Sequence, residues 1–130
     1  MDFQVSPPPT VILIDDDAAL LRALSFSLEL EGFTVDRHRS GSTVRPNDLP
    51  AENACLVVDY YLQGHNGFQL LERLRLHGVT LPAIVITSHA GPMLQNLAHR
   101  VNASVVEKPL LGPELFAEIR RLIATQFPIR

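Results

Sequence analysis

Apolar residues in this chain follow two alternating patterns. Short continuous runs rich in β-branched residues alternate with longer stretches in which apolar positions recur every three or four residues. Val11-Ile12-Leu13-Ile14, ended by Asp15, predicts a strand buried on both faces. Ala18 to Glu31 carries Leu20, Leu21, Leu24 and Leu28 at helical spacing, with Asp17 placed to cap the helix and Gly32 to end it. Phe33 to Asp36 predicts a second strand. Residues 40–53 contain Pro46, Pro50 and few apolar positions, so any helix there is short or irregular. Ala54 to Val58, ended by Asp59, predicts a third strand. Gly67 to Leu76 predicts a helix capped by Asn66, with Leu70, Leu71 and Leu74 on one face. Pro82 to Thr87 predicts a strand, Met93 to Val101 a helix, and Ala103 to Val106 a short strand before Glu107-Lys108-Pro109. Gly112-Pro113-Glu114 opens a last helix, with Pro113 in its first turn and Leu115, Ile119, Leu122 and Ile123 as its stripe.

Five strand-then-helix alternations imply an α/β fold: a parallel sheet, doubly wound, with helices on both faces. Residues 1–9 end in Ser-Pro-Pro-Pro and predict an N-terminal tail, leaving 10–127 as one domain. Composition narrows the class. An apolar content of 46% over 130 residues supports a packed core, and a net charge of -3 offers no footprint for nucleic acid. Cys55 is the only cysteine and reads as a small buried hydrophobe in a reducing compartment. No apolar stretch approaches the ~18 residues of a membrane span, and the first residues lack a signal-peptide pattern. A cytoplasmic protein without membrane contact is expected.

In doubly wound sheets, ligands bind beyond the carboxyl ends of the strands. The first strand delivers Asp15, Asp16 and Asp17 there, the third Asp59, the fourth Thr87 and Ser88, and the fifth Lys108. Clustered carboxylates raise one another's pKa and favour a cation, and Mg²⁺ suits oxygen ligands. Carboxylates, a hydroxyl and an ammonium at one edge make a site suited to phosphoryl transfer, where positioning and charge neutralisation supply most of the catalysis.

The residues Ile14-Asp15-Asp16-Asp17, Val57-Val58-Asp59, Gly67, Val85-Ile86-Thr87-Ser88 and Glu107-Lys108-Pro109 resemble the response-regulator receiver family in order, spacing and strand context. The wording around Ile84–His89 and Val106–Pro109 is most similar to its nitrogen-fixation regulator branch. The resemblance implies a flavodoxin-like (βα)5 receiver with strand order 2-1-3-4-5. It implies that Asp59 accepts a phosphoryl group from a sensor histidine kinase or phosphotransfer protein, and that a conformational change signals to an output domain or protein. Asp16 would bind Mg²⁺ directly, Asp15 mainly through water, and the Tyr61 carbonyl would complete the protein ligands. Thr87 and Lys108 would hold the phosphoryl group, and the Lys108-Pro109 bond would be cis. Tyr61 and His89 would tune hydrolysis of the aspartyl phosphate. The only reactions implied are phosphorylation and dephosphorylation of the domain itself, with no direct nucleic-acid contact from it; a phosphorylation-dependent dimer is compatible with the family.

Each residue alone has a plainer reading. Asp15–Asp17 could only cap a helix, Asp59 could end a strand, Thr87 and Ser88 could be loop hydroxyls, and Lys108 a solvated charge. The conjunction favours one site: ten of the 11 basic residues are arginine, and the single lysine falls where the site requires an ammonium. The five histidines show no metal-ligand spacing; four read as surface residues and His89 as a residue at the site's rim. Four features depart from the family. Leu62-Gln63 stands where Met-Pro is usual, the second helix is poorly encoded, the stretch from Thr87 to Lys108 is one residue short, and Val105 occupies the place of the aromatic switch residue. These departures leave a second reading open, a pseudo-receiver that binds proteins without being phosphorylated.

Overall fold

Three of the apolar runs form the interior of one parallel sheet in the computed structural model, which describes residues 7–110 and 113–126. The elements are β1 (Thr10–Ile14), α1 (Ala18–Leu30), β2 (Thr34–His38), two 3-10 turns (Gly41–Thr43 and Pro46–Asp48), β3 (Ala54–Asp59), the two-residue strands β4 (Tyr61–Leu62) and β5 (His65–Asn66), α2 (Gly67–Leu76), β6 (Ala83–Thr87), α3 (Pro92–Arg100), β7 (Ala103–Glu107) and α4 (Glu114–Thr125). The main sheet runs β2-β1-β3-β6-β7, all parallel; β4 and β5 form a separate antiparallel hairpin. Without the hairpin strands this is the expected order 2-1-3-4-5.

Successive side chains of a strand point to opposite faces, so a strand covered on both sides must be apolar throughout. On one face Ile12, Ile14, Leu56, Val58 and Val85 pack against Leu70, Leu71 and Leu74 of α2. On the other, Val11, Leu13, Cys55, Val57, Ile84 and Ile86 pack against Leu21, Leu24 and Leu28 of α1 and Leu115, Ile119 and Ile123 of α4. Burial pushes the Cys55 thiol up to about 12, which suits an inert core residue.

Helix boundaries follow local chemistry. Asp17 accepts from the Ala19 and Leu20 N–H groups at 3.1 and 3.2 Å and caps α1. Asn66 and Gln69 form a reciprocal capping box at the start of α2. Two expectations shift. No α-helix forms in residues 40–53: Pro46 and the scarcity of apolar positions leave the two 3-10 turns, so only four of the five strand-then-helix alternations carry an α-helix. Pro113 occupies the N-cap position of α4, one step before the first turn. Residues 7–9 have no regular structure, yet they are tied down: Asn53 donates to the Pro7 carbonyl at 3.2 Å, and the Thr34 N–H to the Pro9 carbonyl at 3.0 Å. The expectations for tail residues 1–6 and for Gly112, and the last residue of the expected domain, Phe127, lie outside the described residues. No helix among the described residues is long and apolar enough to cross a membrane.

Candidate functional site

Strand register brings the polar residues together. Ile14 pairs with Val58, so Asp15 and Asp59 leave adjacent strands at the same level. Asp59 pairs with Ile86, and Thr87 with Glu107, which sets Thr87 and Lys108 one step along the same edge. The site opens between β1 and β3, where the strand order reverses, the switch point at which such sheets bind ligands.

Asp15, Asp16 and Asp59 can each present a carboxylate oxygen within 4.8 Å of the others. Asp15 and Asp59 are buried, while Asp16 is half-buried. Burial pushes the Asp15 carboxyl up to about 6, and the neighbouring carboxylates add to the shift; the Asp17 backbone N–H, donating to Asp15 Oδ1 at 2.9 Å, offsets part of it. Asp59 is raised for the same first reason, burial, with Asp16 adding and the Lys108 ammonium opposing. Lys108 Nζ stands 3.2 Å from Asp59 Oδ1 as a charge contact, and this buried oxygen has no other partner among the described residues. Three carboxylates against one ammonium leave two negative charges uncompensated. That donor set fits a hard divalent cation.

The supporting backbone is tight. Asp15 N–H donates to the His38 carbonyl at 3.0 Å, and Lys108 N–H to the Thr87 carbonyl at 2.7 Å. The Lys108-Pro109 bond is cis. Gly67 matters by what it lacks: a Cβ there would stand 2.7 Å from the Asp59 carbonyl oxygen and 3.1 Å from Val58 Cγ1. Glycine therefore lets the start of α2 pack directly on the backbone of Asp59. Thr87 is almost fully buried at 1% exposure, and its hydroxyl accepts from the His89 N–H at 3.2 Å. The Tyr61 side chain is exposed, its ring edge-on to Tyr60 at 4.8 Å; any role in metal binding falls to its carbonyl.

The expected residues Asp15, Asp16, Asp59, Thr87 and Lys108 thus converge, with Tyr61 in the hairpin beside them. His89 is exposed on the loop after Thr87. His38 and His65 depart from their surface reading: both are half-buried. His38 Nδ1 lies 2.6 Å from Thr43 Oγ1 and its Nε2 lies 3.1 Å from Asp36. Two residues that support the site's surroundings were not singled out beforehand, Glu107 and Arg75. Glu107 accepts from the Ala90 N–H at 2.9 Å, and Arg75 binds four backbone carbonyls. The Glu107–Ala90 bond and the Arg75 bonds to Val101 and Asn102 have no local sequence signal, because they span 17, 26 and 27 residues.

The model of the response regulator receiver domain family matches residues 11–120. This chain belongs to that family. Transcriptional regulatory protein FixJ of Azorhizobium caulinodans is 32% identical over 111 residues, covering 85% of this chain and 53% of FixJ. C4-dicarboxylate transport transcriptional regulatory protein DctD of Pseudomonas aeruginosa is 35% identical over 117 residues, covering 87% of this chain and 25% of DctD. The solved structure of full-length FixJ from B. japonicum superposes with a TM-score of 0.83 at 28% identity, covering 95% of this chain and 61% of that one. The receiver resembles the nitrogen-fixation regulators in its motif wording as well as in its fold, and it spans about half the length of the FixJ relatives it matches.

Proposed function

We propose that Asp59 is the phosphoryl acceptor of this receiver and that residues 10–127 form the module that carries it. The observation that supports this best is the convergence of three carboxylates within 4.8 Å of one another and the chain's single lysine 3.2 Å from Asp59. The donor is a phosphohistidine on a sensor histidine kinase or phosphotransfer protein. A carboxylate oxygen of Asp59 forms a bond to phosphorus as the phosphorus–nitrogen bond breaks, and the leaving imidazole takes up a proton. Asp15, Asp16, Asp59 and the Tyr61 carbonyl would hold Mg²⁺, which when bound offsets the charge of the carboxylates and of the phosphoryl oxygens. Lys108 pairs with a phosphoryl oxygen, and the Thr87 hydroxyl donates to another. The same residues serve hydrolysis of the aspartyl phosphate, with Tyr61 and His89 at the rim setting water access.

In this reading the module works in the cytoplasm, passes its signal to an output domain or protein, and makes no nucleic-acid contact of its own. Incubation with acetyl phosphate and Mg²⁺, followed by intact mass measurement, tests it. Wild type gains one phosphoryl group, and the nearly isosteric Asp59→Asn variant keeps its fold and gains none. A wild-type chain that binds Mg²⁺ but never gains the adduct would instead be a phosphorylation-independent interaction module.

A further inference from the structure

The segment after Asp59 is held in an unusual way. Tyr61 lies opposite Asn66 and Leu62 opposite His65 in the β4–β5 hairpin, with Gly64 at φ +82° in the connection. Two residues per strand are far too few for a hairpin to be stable by itself. Its conformation must come from what it rests on.

One end is fixed through α2: the Gly67 N–H donates to the Tyr60 carbonyl at 2.9 Å, and Asn66 is locked in its capping box. The other support is His65. Its ring lies over Gly41, so closely that a Cβ on Gly41 would stand 2.6 Å from Nε2 and 3.2 Å from Cε1. Gly41 opens the first 3-10 turn, and that turn is itself anchored: Arg73 of α2 donates to the Gly41 carbonyl at 2.8 Å. Gly41, Ser42, His65, Gln69, Leu70 and Arg73 line a common cavity of about 510 Å³. The hairpin thus leans, through one imidazole, on a glycine that a helix holds in place.

We propose that His65 is a positioning residue for metal binding: seated against Gly41, it holds the hairpin, and with it the Tyr61 carbonyl, at the carboxylate cluster. Glycine at 41 is part of the same device, because any side chain there displaces the ring. The inference rests on Tyr61 as a ligand, as proposed above.

Calorimetric titration with Mg²⁺, alongside metal-free thermal melts, tests it. His65→Ala and Gly41→Ala each weaken Mg²⁺ binding about 3- to 10-fold, at or below the range typical of residues that orient metal ligands. Gly41→Ala acts by pushing aside the far end of a flexible side chain, so its metal-free melting temperature stays close to that of wild type. His65→Gln, which returns a planar polar group to the seat, recovers most of the affinity. At saturating Mg²⁺ both weakened variants are labelled by acetyl phosphate at the wild-type rate, so the defect lies in binding and spares the chemistry. Mg²⁺ affinity unchanged in both variants overturns the proposal, whatever happens to their melting temperatures. A wild-type chain that fails to bind Mg²⁺ or to gain the adduct counts against the acceptor reading and is scored separately, in the wild type alone.

Discussion

Asp15 stores an electrostatic cost in the metal-free protein, and its sign can be worked out. Unfolded, its carboxyl titrates near 3.8; folded, at about 6. Below 3.8 it is protonated in both states. As pH rises from there through 6 the unfolded chain releases its proton first, so the folded state loses roughly 3 kcal/mol. Asp59 is shifted in the same direction. Metal-free protein therefore melts at a lower temperature at pH 7 than at pH 4.5 on account of these groups, and Asp15→Asn flattens that dependence and stabilises the metal-free fold at pH 7. At the proposed site Mg²⁺ would bind the carboxylate forms, so it is expected to restore stability at pH 7 and to have little effect at pH 4.5. Melts of both proteins with EDTA or Mg²⁺ at the two pH values check this; equal pH dependence in wild type and variant would refute it. Lys108 calls for a second prediction. Lys108→Ala slows labelling by acetyl phosphate roughly 10²-fold, the scale of losing one charged stabiliser. Lys108→Arg recovers only part of the rate, since a planar guanidinium does not replace a compact ammonium in a half-buried site. An Arg variant as fast as wild type would show that charge alone suffices. These candidate site residues were legible in the sequence because each stands at the end of an apolar run, and parallel strands deliver their ends to one edge. His65 and Arg75 were not: their partners, Gly41 and the carbonyls of Val101 and Asn102, are set by tertiary packing and leave no local pattern.

At the scale of elements, the connection from β6 to α3 is the part most open to change. Two side chains hold it: the Thr87 hydroxyl accepts from the His89 N–H, and the Glu107 carboxylate from the Ala90 N–H. Helix α3 starts at Gly91-Pro92 without a side-chain cap, while its far end is tied by Arg75 to the carbonyls of Val101 and Asn102. On the proposed reading, a phosphoryl oxygen on Asp59 competes with the His89 carbonyl for the Thr87 hydroxyl proton, and turning the hydroxyl toward it is expected to loosen its bond from the His89 N–H. The movement is then expected to pass into the loop and the loose end of α3, pivoting about the tied end. Val105 packs half-buried against the core near Leu94 and Leu97, is stiff at χ1, and has no polar tip to exchange with water. Beryllofluoride with Mg²⁺ is expected to change amide exchange mainly in residues 88–100, with little at Val105, and Glu107→Ala is expected to speed exchange at Ala90 before any activation. Protection changes confined to β7 and α4 would rule out this route. The elements themselves were largely readable, since each long amphipathic stretch became a helix and each apolar run a strand. The segment 40–53 was readable only as irregular. Its first 3-10 turn is held by Arg73, which reaches over from α2 to the Gly41 and Val44 carbonyls.

At the scale of the whole molecule, the two ends of the sheet do different work. The carboxyl ends of the strands carry the site, and at the other end Arg75 binds the carbonyls of Val79 and Leu81 before β6 and of Val101 and Asn102 before β7, at 2.6 to 3.2 Å. One guanidinium thereby closes the entrances of two adjacent strands. Arg75→Ala orphans these carbonyls and is expected to cost roughly 2–4 kcal/mol of stability. Lysine does not restore it, because a single ammonium cannot span four acceptors. Five-residue strands separate this edge from the site by roughly 15 Å, far enough for independent effects. Asp59→Asn removes a buried carboxylate whose titration is raised, so it is expected to stabilise the metal-free fold at pH 7. The double variant should then show the sum of the two single effects within about 0.5 kcal/mol. Urea unfolding of the four proteins measures this. A larger coupling would mean that the clamp at one edge of the sheet shapes the phosphoacceptor at the other.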